Sequence, residues 1–161
     1  MITANFSLRE MIHSDIAVAH NIRNVPNGEH LDNLIILCQK LLQPIRDALG
    51  IVIEVSSGFR CPALNAIAAS YRLKNGRWVY RSGSKTSDHM KGRAADLKSP
   101  AMTARELFYA IIDTGIEFDQ IILEFDRWVH ISFRNDETNR RQVLIATRKN
   151  KRVIYSDITK L

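Results

Sequence analysis

Across residues 29–49 the apolar positions Leu31, Leu34, Ile35, Cys38, Leu41, Leu42, Ile45 and Leu49 recur at three- and four-residue intervals. That spacing gathers them on one face of a helix. Pro44 lacks an N–H and is expected to kink this helix, and Gly50 to stop it. Upstream, Ser7-Leu8-Arg9-Glu10 has the form of a capping box opening a short helix, and residues 24–28, with Pro26, form a loop. Residues 51–55 are β-branched and alternating, which predicts a strand. Pro62 stands where a first helical residue would, ahead of a helix over 63–70. Residues 72–86 are polar and basic around Trp78-Val79-Tyr80 and predict an exposed excursion or hairpin. A short buried strand follows over 93–97. Thr103-Ala104-Arg105-Glu106 is a second capping box, and its helix ends near Gly115. Apolar runs over 118–125 and 128–133, parted by Asp126-Arg127, predict a hairpin. Segments 142–147 and 152–155, around Lys149-Asn150, predict another.

Helices first and mostly antiparallel strands afterwards make an α+β pattern. The 161 residues suit one domain, 1–161, with N-terminal helices on a mainly antiparallel sheet, a basic excursion at 72–86 and a C-terminal hairpin at 141–156. The composition, 45% apolar and 25% charged, is that of a globular protein. No apolar run is long enough to span a bilayer, so no membrane insertion is expected. The start Met1-Ile2-Thr3-Ala4-Asn5-Phe6 lacks the basic and apolar regions of a signal peptide. Two cysteines, Cys38 and Cys61, are too few for a disulfide scaffold and are expected as reduced thiols. The net charge of +6 favours polyanions. No helix-turn-helix, zinc-finger or aromatic RNA-binding motif accompanies it, so nucleic acid is not the expected partner.

The chemistry concentrates in Ser87-Asp88-His89-Met90-Lys91-Gly92-Arg93-Ala94-Ala95-Asp96-Leu97. A His lies in a polar loop, a Gly permits a tight turn, and an Asp sits in an otherwise apolar strand. An ionised carboxylate is costly there unless it is paired or bound to a metal. Zinc accepts imidazole nitrogen and carboxylate oxygen, and a catalytic zinc site keeps a position open. A third ligand is needed, and His130, within Trp128-Val129-His130-Ile131-Ser132-Phe133, is the best candidate. His13, His20 and His30 lie in the helical N-terminal part.

The pattern Ser-x-His-x-x-Gly-x-Ala-x-Asp, with a late Trp-Val-His, resembles the zinc D-Ala-D-Ala carboxypeptidase family, and most closely its phage- and prophage-associated branch. Ser57-Gly58-Phe59-Arg60-Cys61-Pro62-Ala63-Leu64-Asn65, the lead-in Leu42-Gln43-Pro44-Ile45-Arg46-Asp47-Ala48-Leu49-Gly50 and Phe118-Asp119-Gln120-Ile121-Ile122-Leu123-Glu124-Phe125 resemble further family segments in the same order. The resemblance implies the fold shared with the signalling domain of hedgehog proteins, and Zn²⁺ held by His89, Asp96 and His130. It implies a metallopeptidase acting on D-amino-acid-containing stem peptides of peptidoglycan, as a carboxypeptidase or an L,D-type endopeptidase. Arg60 resembles the arginine that faces the substrate's carbonyl or carboxylate, where it would steady an oxyanion. Ser87 is a candidate to hydrogen-bond substrate.

Hydrolysis also needs a carboxylate to take and return a proton. Several family members place an acid three residues before the final His, where this chain has Arg127. Glu124 and Asp126 remain the candidates. If three residues form the hairpin turn, Glu124 faces His130 across the strands; if two do, it points away. Arg72, Lys74, Arg77, Arg81 and Lys85 form a basic excursion that could grip an acidic glycan, line the cleft, or simply be a solvated loop. The alternative function is a zinc-stabilised binding module without turnover, on the hedgehog precedent. The expected setting is synthesis in the cytoplasm, then action on the cell wall after holin-type release or as part of a phage particle. A monomer is expected.

Overall fold

A computed structural model describes every residue except Ser70, Asp136, Lys151 and Leu161, and leaves the side chains of Tyr71 and Arg72 undescribed. The first two helices, α1 (Leu8–Ile12) and α2 (Asp15–Ala19), are each opened by a serine. Ser7 Oγ accepts the Glu10 N–H and Ser14 Oγ the Ala17 N–H. The long apolar-striped helix is built in three pieces: α3 (Gly28–Leu37), a π-helical turn (Cys38–Leu42) and α4 (Gln43–Leu49). The expected irregularity at Pro44 is therefore spread over the turn before it, where wider winding accommodates the residue that cannot donate. Gly50 ends α4 in the left-handed region, at φ 62°.

The strand expected over 51–55 begins later, as β1 (Glu54–Ser57), because only those residues meet a partner strand. The helix expected over 63–70 closes after one turn, α5 (Pro62–Asn65); Ser70 lies outside the described residues. The basic excursion is a small hairpin of β2 (Tyr71–Arg72) and β3 (Trp78–Val79). It is tied down rather than free: Trp78 packs on His20, with ring centroids 4.6 Å apart, and Asn65 Nδ2 donates to the Ser84 carbonyl. A 3₁₀ turn (Asp88–Lys91) leads into β4 (Ala94–Lys98). Then come α6 (Ala104–Asp113), with its full capping box at Thr103 and Glu106, β5 (Gln120–Glu124), β6 (Trp128–Ser132), β7 (Gln142–Lys149) and β8 (Arg152–Asp157). Lys151 is outside the described residues.

The main sheet runs β1-β4-β6-β5-β7-β8. Every neighbouring pair is antiparallel except β5 and β7, which are parallel. Its two faces have different work because side chains alternate along each strand. Ala95, Leu97, Ile121, Leu123, Val129 and Ile131 point to one face and join Leu34, Leu37, Leu41, Ile45, Leu107, Phe108 and Ile111 of the helices in a single buried core. Each such side chain contributes about 1.5–3 kcal/mol on leaving water. The opposite face receives the alternate residues, Asp96, Glu124 and His130 among them.

Candidate metal centre

Asp96 and His130 are directly opposed in the β4–β6 ladder, so their side chains rise together from the face opposite the core. His89 reaches the same point from the 3₁₀ turn just before β4. That turn ends on Gly92, at φ 71°, where a Cβ would collide with the His30 carbonyl oxygen. Only glycine serves both the left-handed turn and the close approach.

Three donor atoms converge. His89 Nε2, His130 Nδ1 and an Asp96 oxygen all lie within 4.8 Å of one another. His89 Nε2 is 3.2 Å from Asp96 Oδ1 and 3.2 Å from His130 Nδ1, and His130 Nδ1 is 3.0 Å from Asp96 Oδ1. His89 Nδ1 faces the Gly58 carbonyl at 2.7 Å, so this nitrogen carries the proton and the Nε2 lone pair is aimed at the centre. The His89 Nε2 lone pair is thus turned toward the Asp96 carboxylate and the Arg60 guanidinium, whose Nη2 lies 3.2 Å from it. The protonation states agree. Burial drives His89 toward its neutral form. Burial alone would raise the Asp96 carboxyl, but the neighbouring His89 and His130 hold it well below the usual carboxylate range. A neutral His89 and an ionised Asp96, with His130 beside them, fit a divalent ion such as Zn²⁺.

Arg60 stands at the edge of this cluster. Its guanidinium donates to Asp96 Oδ2 at 2.6 Å and its Nε to Ser57 Oγ at 2.9 Å. The backbone of its loop is clasped to His89, the Arg60 N–H donating to the His89 carbonyl at 3.1 Å. Asn24, a residue the sequence pattern placed in a plain loop, staples the same segment. Its Nδ2 donates to the carbonyls of Ile12 (2.9 Å) and Phe59 (2.8 Å), and its Oδ1 accepts the Cys61 N–H (2.7 Å). Nothing in the spacing of the sequence marks Asn24; a buried Asn with three backbone partners is visible only in the fold.

The β5–β6 turn comprises Phe125, Asp126 and Arg127, with Phe125 and Asp126 at φ 55° and 56°. Three turn residues set Glu124 opposite Trp128 and Ile122 opposite His130, so Glu124 shares the face of the metal ligands, one step along the strand. Burial pushes its carboxyl above the ordinary range, with His130 and Arg60 opposing that rise. Asp126 turns elsewhere: it pairs with Arg105 of α6 at 2.7 Å. Ser87, half-buried, precedes the 3₁₀ turn and its carbonyl accepts the Met90 N–H.

A second polar cluster escaped the sequence pattern. Asp119, fully buried just before β5, accepts from Arg140 Nε at 2.8 Å and Arg140 Nη2 at 2.7 Å, and forms an ion pair with Arg134 Nε at 3.1 Å. It anchors the segment entering β7 to the sheet.

Compared with known families, the sequence matches peptidase M15 over residues 4–132. The chain belongs to the peptidase M15 family. No curated protein shows significant similarity to it. Match and geometry agree, because the three converging ligands all lie inside the matched region. This M15 peptidase is a zinc-dependent metallopeptidase whose His89, Asp96 and His130 are positioned to coordinate the ion, in the α+β fold of the D,D-peptidase and hedgehog superfamily. Among the described residues, no helix is long and apolar enough to cross a membrane.

Proposed function

We propose that this M15 peptidase hydrolyses peptidoglycan stem peptides, with Glu124 moving the proton and Arg60 steadying the developing negative charge. The observation that carries the assignment is Glu124's position on the sheet face that bears Asp96 and His130. Zinc, when bound, supplies Lewis acidity to the scissile carbonyl and makes a water more acidic. The remaining work falls to side chains. Glu124 takes a proton from the attacking water as the new C–O bond forms, then returns it to the nitrogen as the C–N bond breaks and the amine leaves. Its buried setting raises its basicity toward the operating pH. Arg60, held by Ser57 and Asp96, offers fixed N–H donors to the oxyanion. Ser87 lies two residues before His89 and is assigned to a substrate hydrogen bond.

The net charge of +6 suits an acidic wall polymer. With the resemblance to the phage-associated branch, it supports action on the cell wall as a phage-type lysin. Glu124→Gln is the direct test. The variant should keep one zinc per chain and lose about 10²–10⁴-fold in turnover. Turnover within about threefold of the unaltered protein would remove Glu124 from the role. Full zinc in the unaltered protein with no turnover on any stem peptide would favour a binding module.

A further inference from the structure

The family match ends at residue 132, so β7 and β8 lie beyond it. They nevertheless extend the face that carries the metal ligands. Parallel pairing puts Glu124 opposite Ala146 and Ile122 opposite Leu144. The terminal hairpin puts Ala146 opposite Tyr155, and Arg148 opposite Val153. Residues opposed in a ladder share a face. One row therefore runs Trp128, Glu124, Ala146, Tyr155, and the next runs Asp96, His130, Ile122, Leu144.

The relief along these rows is uneven. Ile122, Leu144 and Ala146 form a small buried apolar cluster against Phe125. Beside it Tyr155 is 53% exposed and Val153 42% exposed. Ala146 lies buried between Glu124 and Tyr155, so Tyr155 and Val153 are the side chains this part of the face presents to solvent. The Tyr155 hydroxyl lies within the electrostatic reach of Glu124, whose charge, together with burial, pushes the phenol up. Arg148 belongs to the same face and sits over the Phe125 ring, 5.1 Å from its centroid.

We propose that the β7–β8 hairpin is a substrate-binding extension, with the exposed side chains of Tyr155 and Val153, seated on the buried Leu144 and Ala146, as a subsite for peptide residues away from the scissile bond. The proposal rests on the peptidase function above and names the kind of peptide that function serves. From β5 to β8 is two strand spacings, roughly 10 Å, or about three residues of extended peptide. The Tyr155 ring offers area at low entropic cost, and its hydroxyl can bond a peptide amide. The substrate is then a long stem peptide, not a free dipeptide.

The test uses zinc-loaded Glu124→Gln protein, which binds without turning over, and two probes: a stem pentapeptide ending in D-Ala-D-Ala, and the D-Ala-D-Ala dipeptide. Dissociation constants come from calorimetry, with and without Tyr155→Ala. The pentapeptide should bind about tenfold more weakly to the Tyr155→Ala variant. The preference for pentapeptide over dipeptide should shrink by the same factor, and Tyr155→Phe should recover most of it. Val153→Lys, at the other exposed position, gives an independent second variant and should narrow the preference too. An unchanged preference in both variants, equal weakening of both probes, or no pentapeptide binding at all would overturn the subsite. Steady-state cleavage by the otherwise unaltered enzyme separates the two ideas. If it cleaves neither probe, the peptidase function fails while the binding arm still decides the subsite.

Discussion

Asn24→Ala removes a side chain that touches neither metal nor substrate, yet it should weaken both the fold and the site. Three backbone groups lose their partner: the carbonyls of Ile12 and Phe59 and the N–H of Cys61. A lost hydrogen bond costs about 1 kcal/mol, and a group left buried without a partner about 1–3 kcal/mol. Part of this is recovered where water can enter, so the sum is about 3 kcal/mol. In a domain of this size each kcal/mol lowers the melting temperature by about 2–4 °C, which gives a drop of about 6–12 °C. Asn24→Asp sharpens the test. It retains the acceptor for Cys61 but turns a carboxylate toward two carbonyl oxygens, so at neutral pH it should melt below the alanine variant. Because Phe59 and Cys61 flank Arg60, both variants should also lose catalytic efficiency at temperatures where they remain folded. Thermal melts followed by circular dichroism, with zinc content measured in parallel, provide the assay. A melting temperature within about 2 °C of the unaltered protein would refute the staple.

His89→Ala should lose stoichiometric zinc, measured by metal analysis of dialysed protein; full retention would remove His89 from the ligand set. Asp126→Ala breaks only an exposed pair with Arg105 and should leave zinc content and turnover unchanged, whereas lost turnover with zinc retained would transfer the proton-moving role to it. Burial alone would raise the Asp119 carboxyl, but Arg140 and Arg134 hold it below its ordinary 3.8. The stabilisation is therefore present above that value and disappears as the pH falls through 3.8 toward the lower folded value. Asp119→Asn should lower stability at pH 7 and reduce the loss of stability on acidification, seen in denaturant titrations at pH 7 and pH 3; parallel stability curves would contradict this.

The metal ligands were legible because their signature combines residue type, spacing and a strand context, and because the family resemblance supplied the distant third member. The capping box at Thr103, the stop at Gly50 and the terminal hairpin were legible for local reasons: each depends on residues within a few positions. What remained ambiguous depended on register. Phe125 and Asp126 adopt left-handed backbone conformations that their side chains do not advertise, and that choice decides which acid faces the metal site. Strand β1 starts at Glu54 because β4 pairs with that segment, a long-range condition that alternation alone cannot express. The parallel pairing of β5 with β7, and the buried partners of Asn24 and Asp119, are long-range in the same sense. The Tyr155 row exists only through two successive registers, so sequence gave no route to it.

The central claim is that zinc at His89, Asp96 and His130 makes this chain a peptidase of the bacterial wall. Digestion of purified muropeptides, read by mass spectrometry, tests it most directly when run with the metalated protein, with chelator, and with zinc restored. A mass loss that vanishes with chelator and returns with zinc is the expected result, and the fragment identifies the bond cut. Intact muropeptides from protein shown to hold one zinc per chain would contradict the claim.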